Sequence, residues 1–388
     1  MTDGITEDAV LELLRIIVSI PSINPAFRMP GDDPASFGEA ALARALGDWL
    51  EANGIAAELD EVTAGRPNLV ARIAGRSGGP AMLWEGHLDT VQVTGMEAPF
   101  VPRLENGRLH GRGAVDDGGC VAAFLLALRA LSRDPPPGDV EFCAAMDEEY
   151  AYKGVLHHLD RGGSFALGVA GEPTELQVVR ACKGCVRWEV TLEGRSAHTA
   201  RPEEGMSALD AGRRLLDLYD AEMATRTGTH SLLGPATLVT TGFEAGEGPN
   251  TVPSRARLRF DYRYLPSETG AEVYKAFRAV AEGLAGALPG IAVTVGAPFV
   301  DSSAMDVPDV ASVVSRMAAI CRERGLPDAA IGVPFGSDAT KMVNLSAIPT
   351  IVFGPGRIEE AHSIDEFVEV ADVVLAARML VDLARATG

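Results

Sequence analysis

The sequence predicts an α/β protein in which helices cover both faces of a mixed sheet and a smaller α+β domain interrupts the chain. Three observations lead there. Up to about residue 180, apolar runs of strand length, several without polar alternation, are separated by amphipathic helical stretches, the pattern of strands buried on both faces. From about residue 181 the strand-like segments alternate apolar and polar residues, as half-exposed strands do. After "VGAPF" the first rhythm returns. These changes divide the chain into 1–180 and 297–388, forming one domain, with 181–296 inserted between them.

Each element follows from local pattern. "TEDAVLELLRIIVSI" has Thr6 as a cap, acids in the first turn and apolar residues at helical spacing, so it is a helix ending before Pro21. "FGEAALARALGDWLEANGI" places Leu42, Leu46, Trp49 and Leu50 on one face and stops at Asn53-Gly54. "PNLVARI", "AMLWEGHLD", "DVEFCAAMDEE" and "FALGVAGEP" are strands, with "CVAAFLLALRALSR" a helix among them. In the insertion, "RWEVTLEG", "ATLVTTGFEA", "RARLRFDYRYL" and "IAVTVGA" are strands, and "MSALDAGRRLLDLYDAEM" and "AEVYKAFRAVAEGLAGAL" are helices. Their order is the split βαβ, ferredoxin-like pattern of one sheet with helices on one side. "DVASVVSRMAAICRERG" and "IPTIVFGPG" resume the larger domain as helix and buried strand.

Composition bounds the function. With 34 Lys and Arg against 54 Asp and Glu, the formal charge of -20 argues against a nucleic-acid or anionic-membrane partner. The first twenty residues carry Asp3, Glu7, Asp8 and Glu12 and so lack the form of a secretory signal. Five cysteines, an odd number, fit reduced thiols better than a disulfide framework. A cytoplasmic protein is expected.

Polar residues gather where the buried runs end, the place open α/β sheets reserve for their sites. His87 and Asp89, two apart on one strand face, close "AMLWEGHLD"; Asp116 lies in "GRGAVDDGG"; Glu148 and Glu149 close "FCAAMDEE"; Glu172 closes "FALGVAGE"; His362 lies in "GPGRIEEAHSIDE". Imidazoles and carboxylates suit zinc, cobalt or manganese. Five ligands exceed one tetrahedral zinc with an open position, and two ions sharing a carboxylate would accommodate them. Glu148 and Glu149 diverge on an extended segment, so one can bind metal while the other accepts a proton from water, the logic of metal-assisted hydrolysis.

These blocks, with "GRSAHTARPEEGMSA", "GPNTVPSRARLRFDYR" and "FGSDA" in order between them, resemble the dinuclear zinc amidohydrolases that include acetylornithine deacetylase, succinyl-diaminopimelate desuccinylase, aminoacylase and carboxypeptidase G. The resemblance covers nearly the whole chain and implies a zinc-peptidase-like catalytic domain with an inserted lid and dimerisation domain. It implies two Zn2+ per chain, replaceable by Co2+ or Mn2+: His87 and Glu172 on one, Glu149 and His362 on the other, and Asp116 bridging. Asp89 would orient His87, Glu148 would be the general base, and His198 would reach the neighbouring subunit's site and stabilise the oxyanion. Asn250 and Arg263 would contact substrate, an N-acyl amino acid or a dipeptide. A cis peptide is implied between Asp116 and Asp117.

Two positions depart from the family pattern. Asp117 and Gly118 stand where many deacylases read Met-Lys, so a metallo-exopeptidase or dipeptidase remains the alternative, and Gln92 replaces a frequent proline. "CKGC" leaves a redox or non-catalytic metal-binding reading open, but no second pair lies at zinc-finger spacing, and bystander thiols are expected. His157 and His158 are expected to cap a helix end or to be solvated.

Overall fold

In the computed structural model, which describes residues 4–386, the chain forms two compact units. The first comprises the chain up to Arg180, Val307–Ile331 and the chain from Ser337 on; the second comprises Ala181–Asp306 and Gly332–Gly336.

The sheet of the first unit runs Ala57–Thr63, Arg66–Ile73, Gly138–Ala145, Gly79–His87, Leu167–Ala170, Thr350–Val352. The first two pairings are antiparallel and the next three parallel, so the sheet is mixed. Residues on alternating sides of its strands serve different cores. Met82, Trp84, Val140, Phe142 and Ala144 join the main core, where Phe124 stacks 5.6 Å from Trp84 and 5.4 Å from Phe142. Val70, Cys143 and Ala145 form a separate cluster on the opposite face.

Helix Gly118–Arg133 is buried nearly all round because it lies between the sheet and helices Glu7–Ser19 and Val370–Arg385. Thr6 caps Glu7–Ser19 as expected, its hydroxyl accepting the Ala9 N–H. Helix Lys153–Asp160 packs on strand Gly138–Ala145 from the opposite face. There the expectation for His158 needs correcting. His158 is 5 % exposed, and its Nε2 lies 3.1 Å from Glu141 Oε1, because the helix turns this residue toward the sheet. His157, on the outer side, lies 3.2 Å from Asp60.

The second unit holds an antiparallel sheet in the order Thr237–Ala245, Arg255–Tyr264, Gly184–Glu193, Ala292–Val295, which is second, third, first, fourth along the chain. Along Arg255–Tyr264 every second residue is buried, with Leu258, Phe260 and Tyr262 inward. Phe260 packs with Trp188 and with Tyr219 of helix Ala208–Thr225, and Phe277 of helix Gly270–Ala287 packs with Trp188 and Tyr219. The unit continues to Asp306, past the expected end at 296, because Val300–Ser302 pairs with Arg187–Cys185 of the same sheet. All five cysteines, those of "CKGC" included, are buried and outside any disulfide.

Candidate metal centre

The parallel strands deliver the acidic and imidazole side chains at their C-terminal ends. His87 is the last residue of its strand, Glu148 and Glu149 follow Gly138–Ala145, and Glu172 follows Leu167–Ala170. Asp116 precedes helix Gly118–Arg133, and His362 lies between Thr350–Val352 and Val370–Arg385.

His87 Nδ1 lies 2.9 Å from the Asp89 backbone carbonyl, so an Nδ1–H donates there and Nε2 keeps its lone pair. That Nε2 is 2.9 Å from Asp116 Oδ1, while Asp116 Oδ2 is 3.0 Å from His362 Nε2. One carboxylate therefore faces both imidazoles, one oxygen to each, as a bridge must. Among the described residues, two sets place their ligand atoms within 4.8 Å of one another: His87, Glu148 and Glu172, and Asp116, Glu149 and His362. The pairs His87 with Glu172 and Glu149 with His362 fall in separate sets, and Glu148 stands in the first.

The electrostatics are those of a site short of positive charge. Burial, with the charges of Glu148 and Asp116 added, pushes the Glu172 carboxyl well above its usual range; burial does the same to Glu148. Burial also acts on Asp116, but hydrogen bonds from His362 and His87 hold it well below. The same contacts to Asp116 and Glu149 raise His362 to about 10. Four carboxylates sharing two imidazoles is a donor set that divalent cations neutralise, and its oxygen and nitrogen atoms fit zinc, cobalt or manganese.

Asp89 touches His87, as expected, and has a further part in holding the two glutamates. Its carboxylate is 3.8 Å from His87 Nδ1; instead Oδ1 accepts the Glu148 N–H at 2.9 Å and Oδ2 the Glu149 N–H at 3.1 Å. The hydrogen bond from His87 to Asp89 goes to the backbone carbonyl. The Asp116–Asp117 peptide is cis. Asp117 Oδ2 accepts the His87 N–H at 3.1 Å, and a Cβ at Gly86 or Gly171 would come within 2.6 or 2.9 Å of that oxygen.

Several supporting residues were missed in the sequence. Glu366 accepts the Val115 and Asp116 N–H groups with Oε1 and pairs with buried Arg112 through Oε2, fixing the loop that carries Asp116. Asn24 joins Asp89 to Asp147. Glu85 and Asp338 are buried carboxyls in the first unit, both raised chiefly by burial. Glu85 is a charge inside an apolar strand, Asp338 lies in "FGSDA" and Glu366 ends "GPGRIEEAHSIDE", so these three carried a visible signal without a visible role.

His198 and Asn250, both exposed, lie on adjoining segments of the second unit, where the Thr199 N–H donates to the Asn250 carbonyl. Arg263 forms an ion pair with Asp261 at 2.7 Å, and Arg187 shares that carboxylate.

The sequence pattern of peptidase family M20/M25/M40 matches residues 83–386. The chain belongs to this family. Like other members of peptidase family M20/M25/M40, it is a metal-dependent amidohydrolase. Acetylornithine deacetylase of Proteus mirabilis is 29% identical over 93% of this chain and 92% of its own, and that of Myxococcus xanthus 31% identical over 85% and 88%. In fold the chain resembles a tripeptidase from Staphylococcus aureus, with a TM-score of 0.79, 21% identity and 99% of each chain covered. No helix among the described residues is long and apolar enough to cross a membrane.

Proposed function

We propose that this chain hydrolyses the amide bond of an N-acyl amino acid at a centre of two zinc ions, with Glu148 as general base. The observation that carries the reading is Asp116 shared between His87 and His362, with Glu148 beside them at the end of the same sheet. His87 and Glu172 would hold one ion, Glu149 and His362 the other, and Asp116 both. Bound there, divalent ions lower the pKa of water and polarise a carbonyl.

The chain's own residues supply the proton transfers. Burial raises the Glu148 carboxyl, which makes it a stronger base toward water and, once protonated, a donor to the leaving amine. Asp89 fixes the backbone on which Glu148 and Glu149 diverge. His198 would stabilise the oxyanion in the site of a partner subunit, with Asn250 and Arg263 toward substrate. For Arg263 this requires sharing its guanidinium between Asp261 and a substrate carboxylate.

Likeness to acetylornithine deacetylases along nearly the full chain supports the deacylase reading. Asp117 is what keeps a metallo-exopeptidase in view. Its Oδ2 is engaged by the His87 N–H, so this departure bears on the support of the centre more than on substrate. A homodimer through the second unit and a cytoplasmic location belong to the same proposal. Val239, 55 % exposed on the edge strand Thr237–Ala245, supports the former, and a monomer in sedimentation velocity contradicts it.

Glu148→Gln tests the mechanism. Hydrolysis is expected to fall roughly 10²–10⁴-fold, with the metal content of the purified protein unchanged. Undiminished turnover overturns the assignment of the base.

A further inference from the structure

Asn24 lies in "SINPAF", outside every helix and strand, yet it is fully buried between two fully buried carboxylates. Its Nδ2 is 2.7 Å from Asp89 Oδ2 and 2.9 Å from Asp147 Oδ1. Its Oδ1 accepts the Ala26 N–H at 3.0 Å, a backbone donor that cannot be reversed, so the amide orientation is fixed. The two hydrogens on one nitrogen are thus given to two different acids. Both acids flank one element: Asp147 immediately precedes Glu148, and Asp89 accepts the N–H groups of Glu148 and Glu149.

The surroundings supply what a built clamp needs. Asp147 takes a left-handed backbone at φ 69, which turns the chain at the strand end, and its carbonyl accepts the Ala151 and Tyr152 N–H groups. Its Oδ1 also faces Arg66, whose guanidinium is held on the other side by Glu39. The loop carrying Asn24 is tied down in turn. Gln92, which stands where family members often have proline, donates to the Phe27 carbonyl and to Asp32, and the Asn24 N–H donates to the Thr90 carbonyl.

We propose that Asn24 is a positioning residue for the Glu148–Glu149 pair: its carboxamide holds Asp89 and Asp147 together and so sets where the two glutamates point. The proposal rests on the metal-centre reading given above. Removing both donors leaves two neighbouring buried carboxylates without their shared partner, and they separate. Asp89 then no longer fixes the Glu149 amide, and Glu149 loses its place opposite His362. Replacement by aspartate adds a third acid and has the larger effect.

The test is a titration of metal-free, full-length protein with Co2+, followed by visible absorption, together with steady-state kinetics on an N-acetyl amino acid. Asn24→Ala is expected to weaken one of two cobalt-binding steps about tenfold and to lower kcat about tenfold or more, with KM changed less than about twofold. Asn24→Asp loses more on both readouts. A folded Asn24→Ala protein with wild-type cobalt binding and kcat overturns the proposal. Should that variant not fold, by circular dichroism, Asn24→Ser retains a small polar side chain at the position, and wild-type values in it overturn the proposal equally. A wild-type protein that binds no cobalt overturns the metal-centre reading and this proposal with it, whereas wild-type binding with unaltered variants overturns this proposal alone.

Discussion

A carboxylate that accepts two consecutive backbone N–H groups fixes the direction of the side chains they carry, and Asp89 does this for Glu148 and Glu149. The spacing of His87 and Asp89 showed only that both face one side of a strand, and the resemblance implied that Asp89 orients His87. The strand ends at His87, however, and the chain turn that follows brings the Asp89 carbonyl to the ring and swings its carboxylate to the neighbouring strand end. His158 makes the same point away from the centre. Its hydrogen bond holds the Glu141 carboxyl below its ordinary value of 4.5. A carboxyl with a depressed folded-state pKa contributes stability that is fully present above the unfolded value and is lost as pH falls through the folded one. Urea-unfolding midpoints should therefore drop below pH 4.5 in the wild type, and His158→Ala should remove part of that acid sensitivity. Identical acid profiles for the two proteins would contradict the pairing.

At the scale of elements, the parallel strands place His87, Glu148, Glu149 and Glu172 together by ending on the same side of the sheet. This much was legible, because each of these residues closes an apolar run and the runs alternate with helices. Asp116 and His362 were legible through their blocks. The roles of Asn24 and Glu366 were not, although Glu366 ends the block that holds His362: both sit outside periodic elements and act on partners 65 and 250 residues away, a distance no window of sequence spans. The start of helix Lys153–Asp160 is a second feature that only packing reveals. A Cβ at Gly154 would lie 2.5 Å from the Met146 backbone and 2.6 Å from Asn68 Oδ1, at the strand end that leads to Glu148. Gly154→Ala is expected to cost about 1–3 kcal/mol by overpacking and to lower activity; an unchanged midpoint of chemical unfolding would show that the helix can move away without penalty.

At the scale of the molecule, the chain is two separately cored units with different strand rhythms, and that difference in rhythm is what announced the insertion. Its later end, at Asp306, escaped the sequence because Val300–Ser302 is too short to show a period and belongs to the second sheet only through its partner strand. The family match spans both units, and the residues of the candidate centre lie in the first, while His198, Asn250 and Arg263 lie in the second. The central claim is that this centre removes acyl groups from amino acids. It is tested most directly by comparing kcat/KM for N-acetylornithine and other N-acyl amino acids with that for di- and tripeptides bearing a free amino terminus. The protein is prepared without chelator, and its zinc is counted by elemental analysis. About two zinc ions per chain and a higher kcat/KM on the N-acyl amino acids are expected. Preference for the peptides, or turnover that persists after the metal is stripped, would contradict the claim.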